Sequence, residues 1–167
     1  MLRLGAVYGS RIKGNYERLT HALARHRFIP IGNGLNRRTL IYDKDVARAA
    51  ALAVSHPAAA GKIYNVSDGK FHTMNDIIST MCQALDRKPP SLSLPVGPVR
   101  FAAGIVEDLV RLVGRQAQIS RATIEKYTED IAVDSSRIRT ELGFKPRYDL
   151  RSGWQETVQE MRKMGEL

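Results

Sequence analysis

Cysteine is nearly absent: Cys82 is the only one in 167 residues, so the chain cannot form an internal disulfide. The four histidines are scattered and none stands beside a cysteine, so the sequence spells out no structural zinc cluster. No apolar run approaches the roughly 18 residues of a membrane span. The opening Met1-Leu2-Arg3-Leu4-Gly5 has neither the basic lead nor the apolar stretch of a signal peptide. A reduced, cytoplasmic setting is the expectation, with no integral membrane segment. Internal repeats and low-complexity tracts are missing too. So are a P-loop, a Gly-x-Ser-x-Gly elbow and a His-Glu-x-x-His pair.

What is present is the balance of a globular protein, 43% hydrophobic and 26% charged. A chain of this length can bury roughly 70% of its unfolded surface without a metal or disulfide staple. Acidic residues are in deficit, 17 against 26 Lys/Arg, giving a net charge of +9. The excess is concentrated. Residues 1–48 hold ten Lys/Arg against Glu17, Asp43 and Asp45, whereas the remainder is nearly balanced. A basic region of that kind suits an anionic partner: nucleic acid, acidic lipid or a phosphorylated small molecule. No helix-turn-helix, RRM or zinc pattern supports nucleic acid.

Residues 2–8 form an apolar run closed by Gly9-Ser10 and predict a buried strand. Asn15 is set to cap a helix over 15–25, with Tyr16, Leu19 and Leu23 on one face. Residues 28–31 and 39–42 read as strands joined by a hairpin-type turn at Gly32-Asn33-Gly34. An alanine-rich helix starts at Asp43 or Asp45 and ends near His56-Pro57, and residues 62–66 form another strand. Thr73 with Asp76 caps a helix carrying Met74, Ile77, Ile78, Met81 and Leu85 as a stripe. Residues 91–94 are strand-like. A helix over 99–113 is expected to bury Phe101, Ile105, Leu109, Val110 and Val113. Shorter helices follow at 122–127 and 135–142, and a last one at 150–164 aligns Leu150, Trp154, Val158 and Met161. Alternating strands and helices indicate an α/β fold. Only residues 2–8 and 62–66 look like strands of a central parallel sheet, too few to be buried on both faces. The four histidines, His21, His26, His56 and His72, are read as structural or solvated, none with a partner at ligand spacing. His56 is expected to interact with a helix C-terminus.

The most informative stretch is Gly32-Asn33-Gly34-Leu35-Asn36-Arg37-Arg38-Thr39-Leu40-Ile41-Tyr42-Asp43-Lys44-Asp45-Val46-Ala47. A guanidinium at the start of a strand, after a glycine turn, is well placed to reach a phosphate bidentately. This stretch resembles the Gly-Asp-Gly…Arg-Asp-Phe-Val-Tyr-Val-Asp-Asp-Val-Ala signature of the extended short-chain dehydrogenase/reductases, the NAD-dependent epimerase/dehydratase family. Other segments agree in order. Leu2-Arg3-Leu4-Gly5-Ala6-Val7-Tyr8-Gly9-Ser10-Arg11 is similar to the family's Leu-Arg-x-x-x-Val-Tyr-Gly-Pro strand. Gly61-Lys62-Ile63-Tyr64-Asn65-Val66-Ser67-Asp68-Gly69 is similar to its late strand. Asp134-Ser135-Ser136-Arg137, Glu141-Leu142-Gly143-Phe144-Lys145-Pro146 and Gly153-Trp154-Gln155-Glu156-Thr157-Val158 are similar to its C-terminal signature.

The resemblance implies the C-terminal part of an extended Rossmann-type (NAD(P)-binding) fold: one partial domain over residues 1–167, mainly the mixed α/β substrate-binding subdomain with two strands of the parallel sheet. It implies NAD(P) in the full-length family, a nucleotide-sugar or other phosphorylated small molecule as substrate, and a separately encoded N-terminal half or a homodimer as partner. Arg38 would hold the substrate diphosphate, with Tyr42 behind it. Arg121 and Lys126 lie where a second diphosphate-binding arginine is expected. Val7, Tyr8 and Ser10 would border the nicotinamide end of the cofactor. The family's glycine-rich turn and its Tyr-x-x-x-Lys pair would precede Met1. None of the six tyrosines has a lysine four residues on, so the chain is expected not to turn over alone. Two departures point elsewhere: Ala6 stands where an Asn is common and Ser10 where Pro is usual. The segment from Leu94-Pro95 to Ile119-Ser120-Arg121 looks more like the 3β-hydroxysteroid dehydrogenase branch. A reductase fragment of that kind and a non-catalytic anion-binding module are therefore alternatives, and the 99–113 helix has contact with a lipid-linked substrate or a membrane surface as its own alternative reading.

Overall fold

A computed structural model describes residues 1–112 and 121–167. The opening strand is two pieces, β1 (Leu2–Leu4) and β2 (Ala6–Tyr8). They part at Gly5, where a Cβ would lie 2.9 Å from the Thr39 carbonyl oxygen and 3.4 Å from that of Val66. The backbone threads between those carbonyls, Gly5 N–H donating to Val66 O (2.8 Å) and Ala6 N–H to Thr39 O (2.9 Å). Successive N–H groups of a strand point to opposite edges, so the strand is paired on one edge along its first half and on the other along its second. β1 runs parallel to β5 (Tyr64–Val66), with Leu2 opposite Tyr64. β2 runs parallel to β4 (Leu40–Tyr42), with Ala6 opposite Leu40. The expected pairing of the 2–8 and 62–66 strands is therefore observed. The expected burial holds only in part: Tyr8 is in the core and Leu2 and Val7 pack against it, but Arg3, Leu4 and Ala6 are exposed, because an edge of β1 opposite β5 carries no partner strand among the described residues.

The predicted hairpin does not form. Residues 28–31 make one parallel bridge, Ile31 to Leu94, and β4 goes to β2. β3 (Arg37–Arg38) pairs antiparallel with β6 (His72–Thr73), Arg38 opposite His72. The strand expected at 91–94 is likewise reduced to Leu94.

Helices stand close to their expected positions. α1 (Asn15–Ala24) begins after Gly14, whose N–H donates to Glu17, so Gly14 and not Asn15 is the cap. α2 (Asp43–Ser55) starts directly from β4 and buries Ala49. His56 ends it, but the imidazole Nδ1 turns forward to accept from Ala58 N–H (3.2 Å) and caps the short 3-10 helix Pro57–Ala59. α3 (Met74–Ala84) has the predicted Thr73/Asp76 capping box and buries its whole predicted stripe. α4 (Val96–Leu112), α5 (Arg121–Thr128), α6 (Ser136–Leu142) and α7 (Leu150–Lys163) follow.

β4 divides two cores by the alternation of its side chains. Leu40 and Tyr42 join Tyr8, Leu23, the α3 stripe and Leu150, Trp154 and Val158 of α7. Ile41 faces Ala49, Tyr64, Val66, Ile138, Leu142 and Phe144. Gly153 lets the first core close: a Cβ there would overlap the Tyr8 ring, which stacks on Trp154 at 4.6 Å between centroids. α4 departs from expectation. Phe101 is 72% exposed, and Ile105 and Leu109 are exposed as well, while Ala103 and Gly104 face inward. The small residues are buried because α5 crosses there: a Cβ on Gly104 would overlap the Arg121 guanidinium. Val110 is half-buried, and Val113 lies outside the described residues, as do Ile119 and Ser120.

Candidate substrate-binding site

Arg38 is aimed by the turn before it. Gly32 and Gly34 have φ of 80° and 66°, which suit glycine, and a Cβ on Gly34 would overlap Asn75. Asn75, in the first turn of α3, donates its side-chain amide to Asn33 O (2.8 Å) and its backbone N–H to Gly34 O (3.0 Å). The turn is thus clamped to α3, and β3 leaves it in a fixed direction. Arg38 is 9% exposed. Its Nη2 donates to the carbonyls of Lys126 (2.6 Å) and Tyr127 (3.0 Å) in the last turn of α5, where a cation meets the negative end of the helix dipole. Its Nε is buried with no partner among the described residues. A guanidinium has five N–H donors, so a buried orphan marks capacity left for an anion. Burial pushes the phenols of Tyr16 and Tyr127 up, and the charge of Arg38 pulls both partly back.

The other expected substrate residues are spread apart. Tyr42 shares the strand face of Arg38 but lies four residues on, roughly 13 Å along an extended chain. It is a core residue, 4.4 Å from the Tyr148 ring and 5.5 Å from that of Tyr8. Burial, then the carboxylates of Glu160, Glu156 and Asp43, hold its phenol protonated far above the ordinary range. Lys126 is next to Arg38 through its carbonyl and carries its ammonium at the surface. Arg121 is committed to the junction of α4 and α5, donating to Asp108 (3.0 Å) and, through its backbone, to Glu107 (3.1 Å). Five residues separate Arg121 from Lys126, which puts them on different faces of α5. Arg38 and Lys126 are brought together; Tyr42 and Arg121 are not.

Val7, Tyr8 and Ser10 sit together at the end of β2. Val7 packs against the second core. Tyr8 donates weakly to Asp149 O (3.4 Å), and burial followed by the Asp68 charge raises its phenol far above the ordinary range. Ser10 donates to the Glu160 carboxylate of α7. A dinucleotide's pyrophosphate also needs a glycine-lined cradle at a helix start. The close approaches that glycine permits among the described residues are filled by the protein itself: Gly9 by Asp43, Gly34 by Asn75, Gly69 by Arg139 and Gly153 by Tyr8. Tyr8 and Ser10 are buried and bonded within the chain and Val7 packs in the second core, and the glycines beside them offer no pyrophosphate cradle.

Two histidines stand beside a carboxylate four residues earlier in the chain. His72 Nε2 lies 2.5 Å from the Asp68 carboxylate, both side chains buried. His21 meets Glu17 and Glu166, but Lys13 bonds both carboxylates (2.7 and 3.4 Å), so an ammonium already neutralises that cluster. Asp45 was missed. It is fully buried and accepts from the N–H groups of Arg147 and Tyr148 and from the Arg48 guanidinium, tying the start of α2 to the segment entering α7. An aspartate beginning an alanine-rich helix was its only signal.

Residues 1–67 match the family described as the NAD dependent epimerase/dehydratase family. An N-acetyl-alpha-D-glucosaminyl-diphospho-ditrans,octacis-undecaprenol 4-epimerase of Escherichia coli O157:H7 is 25% identical over 95% of this chain and 48% of its own length. UDP-glucose 4-epimerase of Thermotoga maritima, solved with UDP-glucose, superposes with a TM-score of 0.67 at 20% identity, over 99% of this chain and 46% of that one. A human epimerase family protein solved with NADPH gives 0.71 at 18% identity, over 95% and 47%. At such identities the solved structures establish a shared Rossmann-type α/β fold. The chain spans about half the length of the curated relatives it matches. Residues 1–67, from β1 through β5, thus carry the NAD-dependent epimerase/dehydratase match, and the whole chain is similar in sequence and fold to proteins of that kind.

Proposed function

We propose that this chain is the substrate-side portion of an NAD-dependent nucleotide-sugar epimerase/dehydratase and that Arg38 receives the diphosphate of the substrate. The observation that carries the reading is the buried, strand-fixed guanidinium with an unpartnered Nε. Being fixed by the α5 carbonyls, it costs little ordering when an anion arrives. Lys126, whose carbonyl anchors Arg38, carries a second positive charge at the same end of α5. The relatives support the class of ligand: one is named for a sugar joined through a diphosphate to undecaprenol, and the other was solved with a uridine diphosphate sugar. Their common element is a sugar diphosphate.

The reading includes a division of labour. The sequence has no Tyr-x-x-x-Lys pair, and the glycines nearest Tyr8 and Arg38 are closed by Asp43 and Asn75, so the chain alone binds the substrate end and does not turn it over. The open edge of β1 is where a further strand of a cofactor-binding half adds, supplied by a separately encoded chain or by preceding sequence. Thermal denaturation with UDP, UDP-glucose, glucose and NAD, each at millimolar concentration, tests this. UDP and UDP-glucose are expected to raise the melting temperature, and glucose and NAD to leave it unchanged. A flat response to UDP would overturn the assignment of Arg38, and stabilisation by NAD alone would overturn the division of labour.

A further inference from the structure

The residue opposite Arg38 is a buried histidine. β3 and β6 pair antiparallel with Arg38 across from His72, and directly opposed residues of such a pair send their side chains to one face, with Cβ atoms roughly 4.5–5.5 Å apart. The two are buried alike, at 9% and 8% exposure. His72 is held by Asp68, its Nε2 2.5 Å from the carboxylate. That carboxylate is itself fixed: Asp68 N–H donates to Leu40 O (2.8 Å), and Oδ1 accepts from Lys70 N–H (3.1 Å). The turn before His72 is closed at Ser67, whose Oγ accepts from Gly69 N–H (3.1 Å) and bonds the Ser135 hydroxyl (2.7 Å). An ionised carboxylate only accepts, so Nε2 is the donor and the orientation of the ring is set. The other ring nitrogen, Nδ1, makes no hydrogen bond among the described residues.

Closing the turn does not call for this pair. A serine or asparagine would do so, whereas two titratable side chains taken out of water gain little over neutral ones. The charged groups around the ring are Arg38 across the strand, Asp68 and Lys70 in the preceding turn, and Asp76 in the first turn of α3. Asp76 is committed to the Thr73 cap, and its carboxyl is lowered by those hydrogen bonds and then, against burial, by the histidine charge. Tyr16 and Tyr127, the phenols beside Arg38, are raised by burial and bring no charge. One face therefore carries a permanent cation with an unpartnered Nε and a titratable ring with an unpartnered Nδ1. A bound dianion favours a proton on a neighbouring imidazole, and by linkage the proton favours the dianion.

We propose, resting on the assignment of Arg38 as the diphosphate receptor, that His72 is a proton-linked donor of the same site and Asp68 the positioning residue behind it. In the free protein the neutral ring has a lone pair at Nδ1. As the ligand arrives, a proton from the buffer enters Nδ1, which then donates to a phosphate oxygen while Nε2 stays with Asp68. No covalent bond of the ligand is made or broken. Histidine is the side chain that changes charge between about pH 5 and 8, so the site is tightest on the acid side and weakens as pH rises.

The test is isothermal calorimetry with UDP-glucose, whose diphosphate is esterified at both ends and does not itself titrate near neutral pH. Binding is measured at about pH 7.5 in HEPES and in Tris, which differ in ionisation enthalpy, and the affinity is followed from about pH 6 to about pH 8.5. The parent should show a buffer-dependent heat equal to uptake of part of one proton per ligand, and an affinity that falls about tenfold over that range. His72→Gln, checked for folding by its melt, should lose both the buffer dependence and the pH dependence. Asp68→Asn should keep the pH dependence but displace it to lower pH, because the ring loses the charge that steadies its proton; a profile identical to the parent's would overturn the part given to Asp68. Equal heats in the two buffers with a flat pH profile, or a His72→Gln protein that still takes up a proton, would overturn the role of His72 and leave Arg38 in place. Absence of UDP-glucose binding at every pH would overturn the reading of Arg38 and this one with it.

Discussion

α3 and α4 are both amphipathic helices with apolar residues at helical spacing, and they end in opposite environments. α3 buries Met74, Ile77, Ile78, Met81 and Cys82 against α1 and α7. α4 turns Phe101, Ile105 and Leu109 to solvent and tucks Ala103 and Gly104 under α5. Periodicity reports that a helix has an apolar face; it does not report what covers that face. For α3 the cover is in the chain, because α7 offers Trp154, Val158 and Met161 at matching height. For α4 the described residues provide none, and the face that packs is the one made of small residues.

The comparison can be broken most strongly at its covered side. Trp154→Ala removes the plate on which Tyr8 stacks and should cost about 3–5 kcal/mol, read as a large drop in melting temperature or loss of a cooperative transition. Gly153→Ala, one residue away, adds a single methyl where the Tyr8 ring already lies and should cost about 1–3 kcal/mol. An unchanged melt for either would mean that α7 does not close the core as described.

A middle-sized effect comes from Glu141 on α6, which accepts from Lys62, Arg137 and the Tyr64 hydroxyl and so clips α6 to β5. Those three partners lower its carboxyl from 4.5 to about 2. A carboxylate lowered on folding stabilises fully above its unfolded value, and that contribution disappears as pH falls through the folded one. Glu141→Gln should therefore melt below the parent at neutral pH, with the gap closing between about pH 4.5 and pH 2. A gap independent of pH would remove the charge from the explanation. The smallest effect is expected at α4: Leu109→Ser alone should shift stability by no more than about 0.5 kcal/mol, because the side chain is already in water. A loss of several kcal/mol would show that the face is covered after all.

Much of this architecture was legible from local rules. The Thr73/Asp76 box and the α3 stripe, and the Leu150, Trp154, Val158 and Met161 face of α7, are short-range patterns that tertiary packing had no reason to overrule. The errors share a cause. The hairpin at Gly32-Asn33-Gly34 was wrong because glycine spacing specifies a turn but not which strands it joins, and Asn75, far along the chain, took the turn for α3. Burial of the 2–8 strand holds at Tyr8 and fails at Leu4 and Ala6, because an apolar run presumes neighbours on both edges. At the site, Arg38 was recognisable from its motif. Its anchoring by α5 carbonyls was not, since 88 residues separate it from Lys126. Tyr42 belonged to the same motif, but the rise of a strand carries it out of reach of Arg38 and into the core.

The claim on which the account rests is that Arg38 is a diphosphate receptor and not only a cap for α5. Isothermal calorimetry of UDP against the chain and against Arg38→Gln addresses it directly, with thermal melts to confirm that both proteins are folded. The account predicts saturable binding by the parent and at least a tenfold loss in the variant. Equal affinity for the two folded proteins, or no binding by the parent at millimolar UDP, would contradict it.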